Sequence, residues 1–115
     1  MKNKDLKIWQ KSMSLVTKVY AVTQKFPDLE KFGLTSQIRR CAVSVPSNIA
    51  EGNGRRSNKE LSQFLIISRG SLSELETQLT IAKNLKYISE EILLDLEKDM
   101  TELFKMIHSF SQTLT

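Results

Sequence analysis

Apolar residues recur along the chain at alternating spacings of three and four, which is the period of an amphipathic α-helix. The pattern is strictest between Leu61 and Ala82, and a second long stripe runs from Leu93 to Leu114. No stretch alternates between apolar and polar residues for long enough to predict a β-strand. The spacing therefore predicts four helices, over residues of about 4–26, 35–52, 58–85 and 89–113.

The ends of these helices carry recognisable capping residues. Thr35 or Ser36 is predicted to cap the second helix. Ser57 and Glu60 form a predicted capping box at the start of the third helix, in which each satisfies a backbone donor of the other. Ser89 is the predicted cap of the fourth helix. Long helices joined by short turns predict an all-α fold, an antiparallel up-down-up-down four-helix bundle that forms a single domain over residues 1–115.

The first helix has more apolar surface than one core requires. Its apolar residues fall on two arcs that together span about 200°, whereas a helix facing one core needs only about 100°. We infer a homo-oligomer; the alternative is that these residues fill the flanks of a wide monomeric core. One arc comprises Leu6, Trp9, Met13, Val16 and Tyr20, and the other comprises Ile8, Leu15, Val19 and Val22. The third helix is widened similarly by Ile67, Ile81 and Leu85.

Composition narrows the class of protein. Hydrophobic residues make up 40% and charged residues 26% of the 115 residues, the balance of a soluble globular domain. No apolar run is long enough to span a membrane. The single cysteine, Cys41, cannot form an internal disulfide, so we expect a reducing, cytoplasmic location. Cys41 is predicted to lie in the core with Ile38, Val45 and Ile49 of the second helix.

Positive charge is concentrated in the first half of the chain. The net charge is +4 overall, with 11 Lys/Arg against 4 Asp/Glu in residues 1–58. Lysines recur every seven residues along the predicted first helix, and such a row would follow a phosphate backbone through counterion release. The candidate nucleic-acid contacts are Lys4, Lys11, Lys18 and Lys25, with Lys7 beside them in the same row, and Arg39, Arg40, Arg55 and Arg56.

A competing interpretation of the lysine row comes from the fourth helix, where Glu91, Asp95, Asp99 and Glu102 share one face. Helices one and four are neighbours in an up-down-up-down bundle. The lysines would then face these carboxylates and not a ligand.

A second polar group surrounds Pro46 inside the second helix. Asn48 and Glu51 are expected to satisfy backbone groups freed by Pro46, or to pair with Arg39, Arg40 or Arg69 inside or between subunits. A nuclease centre on Glu51 and Asn48 is the minor alternative. Gly70 in the third helix indicates close approach of another helix. No histidine or carboxylate stands at catalytic or metal-ligand spacing, so we expect no enzyme activity, no metal and no cofactor.

Several of these segments together resemble a known family. The run from Leu34 to Arg40, the run Ser44–Gly52 with its core Asn-Ile-Ala-Glu-Gly, and Gly70-Ser71-Leu72 are similar to the four-helix bundle proteins of the 23S rRNA intervening-sequence type. These proteins are encoded in insertions within bacterial 23S rRNA genes and elsewhere in bacterial chromosomes. The resemblance covers essentially the whole chain.

The resemblance implies a four-helix bundle that assembles as a homopentamer, which agrees with the two wide apolar arcs. A branch of the family, the accessory variability determinants of diversity-generating retroelements, implies binding to a reverse transcriptase and its template RNA through a basic surface. The resulting prediction is a non-enzymatic RNA- or DNA-binding accessory protein. The alternative is a protein-interaction scaffold without a nucleic-acid ligand. Pro46, Asn48, Glu51 and Gly70 are the predicted structural or interface residues.

Overall fold

The computed structural model describes residues 1–114, and within them the only regular structure is helical. Four α-helices follow one another: α1 (Lys7–Thr23), α2 (Leu34–Asn53), α3 (Asn58–Asn84) and α4 (Glu90–Gln112). Short 3-10 turns at Asn3–Asp5 and Asp28–Glu30 precede α1 and α2. The predicted all-α fold with four helices is confirmed.

Contacts between neighbouring helices run in antiparallel register. The Ser68 hydroxyl donates to the Val45 carbonyl at 2.9 Å, and the Cys41 thiol donates to the Ser71 carbonyl at 3.1 Å, so α2 and α3 run in opposite directions. Contacts connect α1 with α2, α2 with α3, α3 with α4 and α4 with α1, the neighbour relations of an up-down-up-down bundle. The bundle measures 43 × 24 × 20 Å, and its long axis matches the length of the 27-residue α3.

The core lies along the bundle axis and is built from the predicted stripes of three helices. The face predicted for α2 is buried throughout, as are most positions predicted for α3 and α4. The fully buried large side chains of these helices are Ile38, Val45, Ile49, Leu65, Leu75, Leu79, Leu96, Leu103 and Ile107.

The buried face of α1 contains residues of the second predicted arc, the one that begins at Ile8, together with two hydroxyl residues that the apolar pattern did not include. Ser12 and Thr23 are buried beside Ile8, Leu15 and Val19. The Ser12 hydroxyl donates to the Ile8 carbonyl at 2.8 Å and the Thr23 hydroxyl to the Val19 carbonyl at 2.8 Å, so neither needs water. In the first predicted arc Leu6 is buried and Trp9 and Val16 are half-buried against the core, whereas Met13 and Tyr20 lie on the flank of the bundle and are each 41% exposed.

The first helix is shorter than the predicted 4–26. The backbone of Leu6 is extended and its side chain is buried, which separates the turn Asn3–Asp5 from α1. At the other end the helix stops at Thr23, ahead of Pro27, which disfavours helical backbone in the residue before it. Lys4 and Lys25 therefore lie outside α1.

The start of α2 also differs from the prediction. The helix begins at Leu34, and neither Thr35 nor Ser36 caps it. Glu30 supplies the acceptor from the preceding turn, because its Oε1 accepts the Leu34 backbone N–H at 3.1 Å. Its other oxygen accepts the Tyr87 hydroxyl at 2.8 Å, which joins this turn to the α3–α4 loop.

The predicted serine caps of α3 and α4 are confirmed, but the reciprocal half of the capping box is not, because Glu60 Oε2 lies 3.5 Å from the Ser57 hydroxyl and does not accept the Ser57 backbone N–H. The Ser57 hydroxyl accepts the Glu60 N–H at 3.2 Å, and the Ser89 hydroxyl accepts the Ile92 N–H at 3.1 Å. Each bond satisfies one backbone donor of the first helical turn, so the α2–α3 and α3–α4 connections are fixed at their helix starts.

Candidate nucleic-acid interface

The middle of the lysine row faces the acidic residues of α4. Lys11 Nζ lies 3.2 Å from a Glu102 carboxylate oxygen. Lys18 Nζ lies 2.8 Å from Asp95 and 2.7 Å from Asp99. The Lys18 ammonium donates hydrogen bonds to the carboxylates of Asp95 and Asp99, and these bonds raise its pKa because they stabilise its charged form. These two lysines join α1 to α4 inside one chain.

The remaining lysines of the row lie near the two ends of α1. Lys7 occupies the first turn of α1, Lys4 belongs to the turn before it, and Lys25 follows the last turn. All three are exposed, and within residues 1–114 none is in an ion pair. The continuous lysine row predicted along one helix is therefore divided into a paired centre and two exposed ends.

The two arginines of α2 are placed differently from each other. Arg39 donates through Nε to the Thr23 hydroxyl at 2.8 Å and through Nη2 to the Tyr20 carbonyl at 3.3 Å. Its guanidinium also stacks on the Tyr20 ring, 4.4 Å from the ring centroid. Arg39 thus fastens α2 to the end of α1. Arg40, the next residue, is exposed and has no ion pair in the described part of the chain.

The two arginines that follow α2, Arg55 and Arg56, also differ: one is engaged within the chain and the other is exposed. Arg55 Nη2 lies 2.8 Å from Glu51 Oε1, and its guanidinium lies 4.9 Å from the centroid of the Phe64 ring. Arg56 is exposed, and over residues 1–114 it forms no ion pair. Arg55 is held by the bundle, while Arg56 is available to a ligand.

The polar group around Pro46 is occupied by local bonds. The Asn48 amide donates to the Ser44 carbonyl at 2.8 Å, and Glu51 pairs with Arg55. Within the described residues of one chain Glu51 pairs with none of Arg39, Arg40 and Arg69, since Arg39 is bonded to α1 and Arg69 stacks on Phe104 at 4.8 Å; such a pairing between copies stays a prediction. Pro46 itself is buried in an unbroken helix.

Two glycines have environments opposite to one another. A Cβ added to Gly52 would lie 2.8 Å from Phe64 Cβ and 2.9 Å from Leu61 Cδ1, so side chains of α3 pack directly against the α2 backbone at this position. A Cβ added to Gly70 would meet nothing within 4 Å. The predicted close approach at Gly70 is therefore wrong within one chain.

Two lysines that the sequence analysis did not single out extend the exposed positive surface. Lys2 precedes the first turn of the chain, and Lys59 lies in the first turn of α3. Both are exposed and lack an ion pair within residues 1–114. Neither falls on the seven-residue period of the row, and only the folded chain brings them to the same end of the bundle.

Across residues 1–114, the His, Cys, Asp and Glu side chains form no group of three or more that could hold a metal ion. None of the helices in that range is both long and apolar enough to cross a bilayer. Cys41 is buried, and burial raises the pKa of its thiol to about 12, with a smaller contribution from the negative charge of Glu74.

Fold and surface define a small all-α four-helix bundle with exposed cations at its helix ends. The family model of the 23S rRNA-intervening sequence protein matches residues 4–109, and the chain belongs to this family. A solved structure of a protein of unknown function from the S23 ribosomal protein family of Bacteroides thetaiotaomicron has the same fold. It is 23% identical, the match covers 90% of this chain and 97% of that one, and the TM-score is 0.83. No curated protein matches the chain.

Proposed function

We propose that the protein is a non-enzymatic, homo-oligomeric accessory protein that binds nucleic acid, with RNA as its ligand, through exposed cations. The observation that carries the proposal is the division of the nine predicted contacts. Four are engaged within the chain, and five are exposed without an ion pair in residues 1–114. The exposed group is Lys4, Lys7, Lys25, Arg40 and Arg56.

Exposed lysines and arginines bind phosphates mainly by releasing counterions, so the predicted binding depends on salt and only weakly on sequence. The binding can be measured by fluorescence anisotropy with a labelled single-stranded RNA of mixed sequence, over a series of salt concentrations. Five contacts predict a slope of log K against log salt of about −3.5. No binding at low salt, or binding without salt dependence, contradicts the proposal.

Assembly is the second part of the proposal. Large apolar side chains lie on the outer side of α3, where a single chain leaves them in water, and Gly70 lies among them. This face suits the approach of another copy. The resemblance implies five copies, which would carry a net charge of +20. The exposed residues are Ile66, Ile67, Ile81 and Leu85.

The second candidate function is a protein-interaction scaffold without a nucleic-acid ligand. It is favoured by Leu29 and Phe32, which are 80% and 91% exposed at the turn between α1 and α2. Glu30 ties the backbone of this turn to the start of α2 and to Tyr87, and Leu29 and Phe32 lie on either side of it. An assembled protein that fails to bind RNA at low salt supports the scaffold.

A reverse transcriptase is a proposed partner on the strength of the resemblance to the retroelement branch. The test is co-purification with the reverse transcriptase of a diversity-generating retroelement at moderate salt. The control is the same enzyme with a variant in which Arg40 and Arg56 are changed to glutamine. Equal retention of the enzyme by both proteins would show that these cations do not recruit it.

A further inference from the structure

One end of the bundle collects the N-terminal residues and the α2–α3 loop. This is the end at which α1 and α3 begin and at which α2 and α4 finish. The Asn53 side-chain amide donates to the Met1 carbonyl at 2.7 Å and to Asn3 Oδ1 at 2.9 Å. The buried Leu6 anchors the same segment. Residues 1–6 are therefore held beside the loop that follows Asn53.

These contacts bring together charges that are far apart in the sequence. Six Lys/Arg and three Asp/Glu lie within residues 1–7 and 51–60, for a net side-chain charge of +3. The opposite end, residues 25–31 and 83–91, has four of each and a net charge of zero. The positive charge of the protein is thus polarised towards one end of the bundle.

Most of the cations at this end have no ion pair within the described residues and can contact a ligand. Arg55 is the only one of the six with an ion pair in the described residues, and its partner Glu51 belongs to the same end. Glu60 is engaged in the cap of α3, where it lies 3.5 Å from the Ser57 hydroxyl. The other five cations are exposed and define what we call the basic end: Lys2, Lys4, Lys7, Arg56 and Lys59.

We infer that the basic end is where the phosphate backbone of RNA binds, and that Lys11 and Lys18, the paired centre of the lysine row, contribute little. The inference rests on the proposed function and locates its binding surface. Lys11 and Lys18 are neutralised by α4, whereas the basic end offers five unpaired cations within one surface. Because two chain segments form this surface, each must be needed for full affinity.

The test is anisotropy with the labelled RNA on three variants with equal charge loss. R56Q/K59Q removes two cations from the loop and helix start, K2Q/K4Q removes two from the N-terminal segment, and K31Q/K98Q is the control. Lys31 and Lys98 are exposed and without ion pairs in the described residues, and neither belongs to the basic end. Light scattering on each variant checks that assembly is unchanged.

Loss of two phosphate contacts reduces the slope of log K against log salt by about 1.4 and lowers affinity about 25-fold at 0.1 M salt. We expect this result for both R56Q/K59Q and K2Q/K4Q, with the control within about twofold of the parent protein. If either variant binds like the control while the parent binds in a salt-dependent manner, the inference is overturned and the proposed function stands. If the parent protein does not bind RNA, the inference and the proposed function are both contradicted.

Discussion

Single buried polar groups determine much of the local packing. The Cys41 thiol lies between α2 and α3 and donates to the Ser71 carbonyl at 3.1 Å. Burial disfavours the thiolate, so the thiol stays protonated and acts as a small core residue.

The first prediction concerns the reactivity of Cys41. A pKa raised from 9.0 to about 12 reduces the thiolate fraction at pH 8 by about 1000-fold, and burial blocks access as well. Labelling with a disulfide reagent at pH 8 should be negligible for the native protein and complete in concentrated guanidinium chloride. Rapid stoichiometric labelling of the native protein would contradict the described environment of this side chain.

The second prediction concerns Gly52. An alanine methyl at this position would lie 2.8 Å from Phe64 Cβ and 3.3 Å from the Leu61 carbonyl oxygen, so α2 and α3 must separate to admit it. G52A is expected to lower the free energy of unfolding by about 1–3 kcal/mol in urea titrations. The matched control is G54A, whose added Cβ meets nothing closer than 3.7 Å and should change stability little.

Hydroxyl residues show where prediction from the apolar pattern fails. Ser12 and Thr23 count as polar in any such pattern, yet both are buried, because a helix lets their hydroxyls donate to a carbonyl one turn back. The apolar spacing alone therefore did not specify which arc of α1 faces the core. On α2, by contrast, Ile38, Val45 and Ile49 are simple apolar residues, and the predicted face is confirmed.

At the scale of elements, ion pairs join α1 to α4 and a carboxylate joins two loops. Lys18 bridges Asp95 and Asp99, while Glu30 serves both the start of α2 and the Tyr87 hydroxyl. The acidic row of α4 was visible in the sequence, and its pairing with the lysine row followed from the neighbour relations of the bundle. The role of Glu30 was not visible, because it depends on a loop whose conformation no periodicity specifies.

The third prediction tests the Lys18 contact through its pH dependence. Because the folded state raises the pKa of Lys18, its stabilisation is complete below the ordinary value of 10.5 and is lost as pH rises through the higher folded value. K18M should lower the free energy of unfolding by about 0.2–1 kcal/mol at pH 7 and low salt. The difference from the parent protein should disappear at pH values well above 10.5.

Urea titrations at a fixed protein concentration, at pH 7 and at pH 11.5, provide the measurement. K98M is the control, because Lys98 is an exposed lysine of α4 without an ion pair in the described residues. A K18M effect that persists unchanged at the higher pH would show that packing, and not charge, is responsible.

The fourth prediction concerns the outer face of α3. Gly70 is exposed within the chain, and alanine in a helix is favoured over glycine by about 0.5–1 kcal/mol. G70A should therefore keep the helix intact by circular dichroism. The larger G70Q should also remain helical but should weaken assembly, since a side chain would enter the face proposed for a second copy. An unchanged mass for G70Q by light scattering would remove Gly70 from that face.

At the scale of the whole molecule, a single chain leaves two kinds of surface exposed to solvent, one apolar and one positively charged. Its flanks carry exposed apolar residues from α1 and α3, among them Met13, Tyr20, Ile67 and Ile81. One end carries unpaired cations that the acidic row of α4 does not reach. Assembly would bury the first surface and repeat the second in every copy, which increases the local density of positive charge.

The two surfaces differ in how far the sequence predicted them. The two arcs predicted that α1 has more apolar surface than one core can bury, but they did not specify which arc stays exposed. The basic end required the fold, because the Asn53 bonds that bring residues 1–4 beside the α2–α3 loop join positions fifty residues apart. Short-range spacing, which detected the lysine row, has no means of detecting such a cluster.

The most direct test of the account is the mass of the protein in solution, measured by light scattering after size exclusion, with and without the single-stranded RNA. A single chain has a mass of 13.2 kDa. We expect a multiple of that value, about 66 kDa for five copies, and a heavier complex with RNA that dissociates as salt is raised. A mass of 13.2 kDa at micromolar concentrations, unchanged by RNA at low salt, would contradict it.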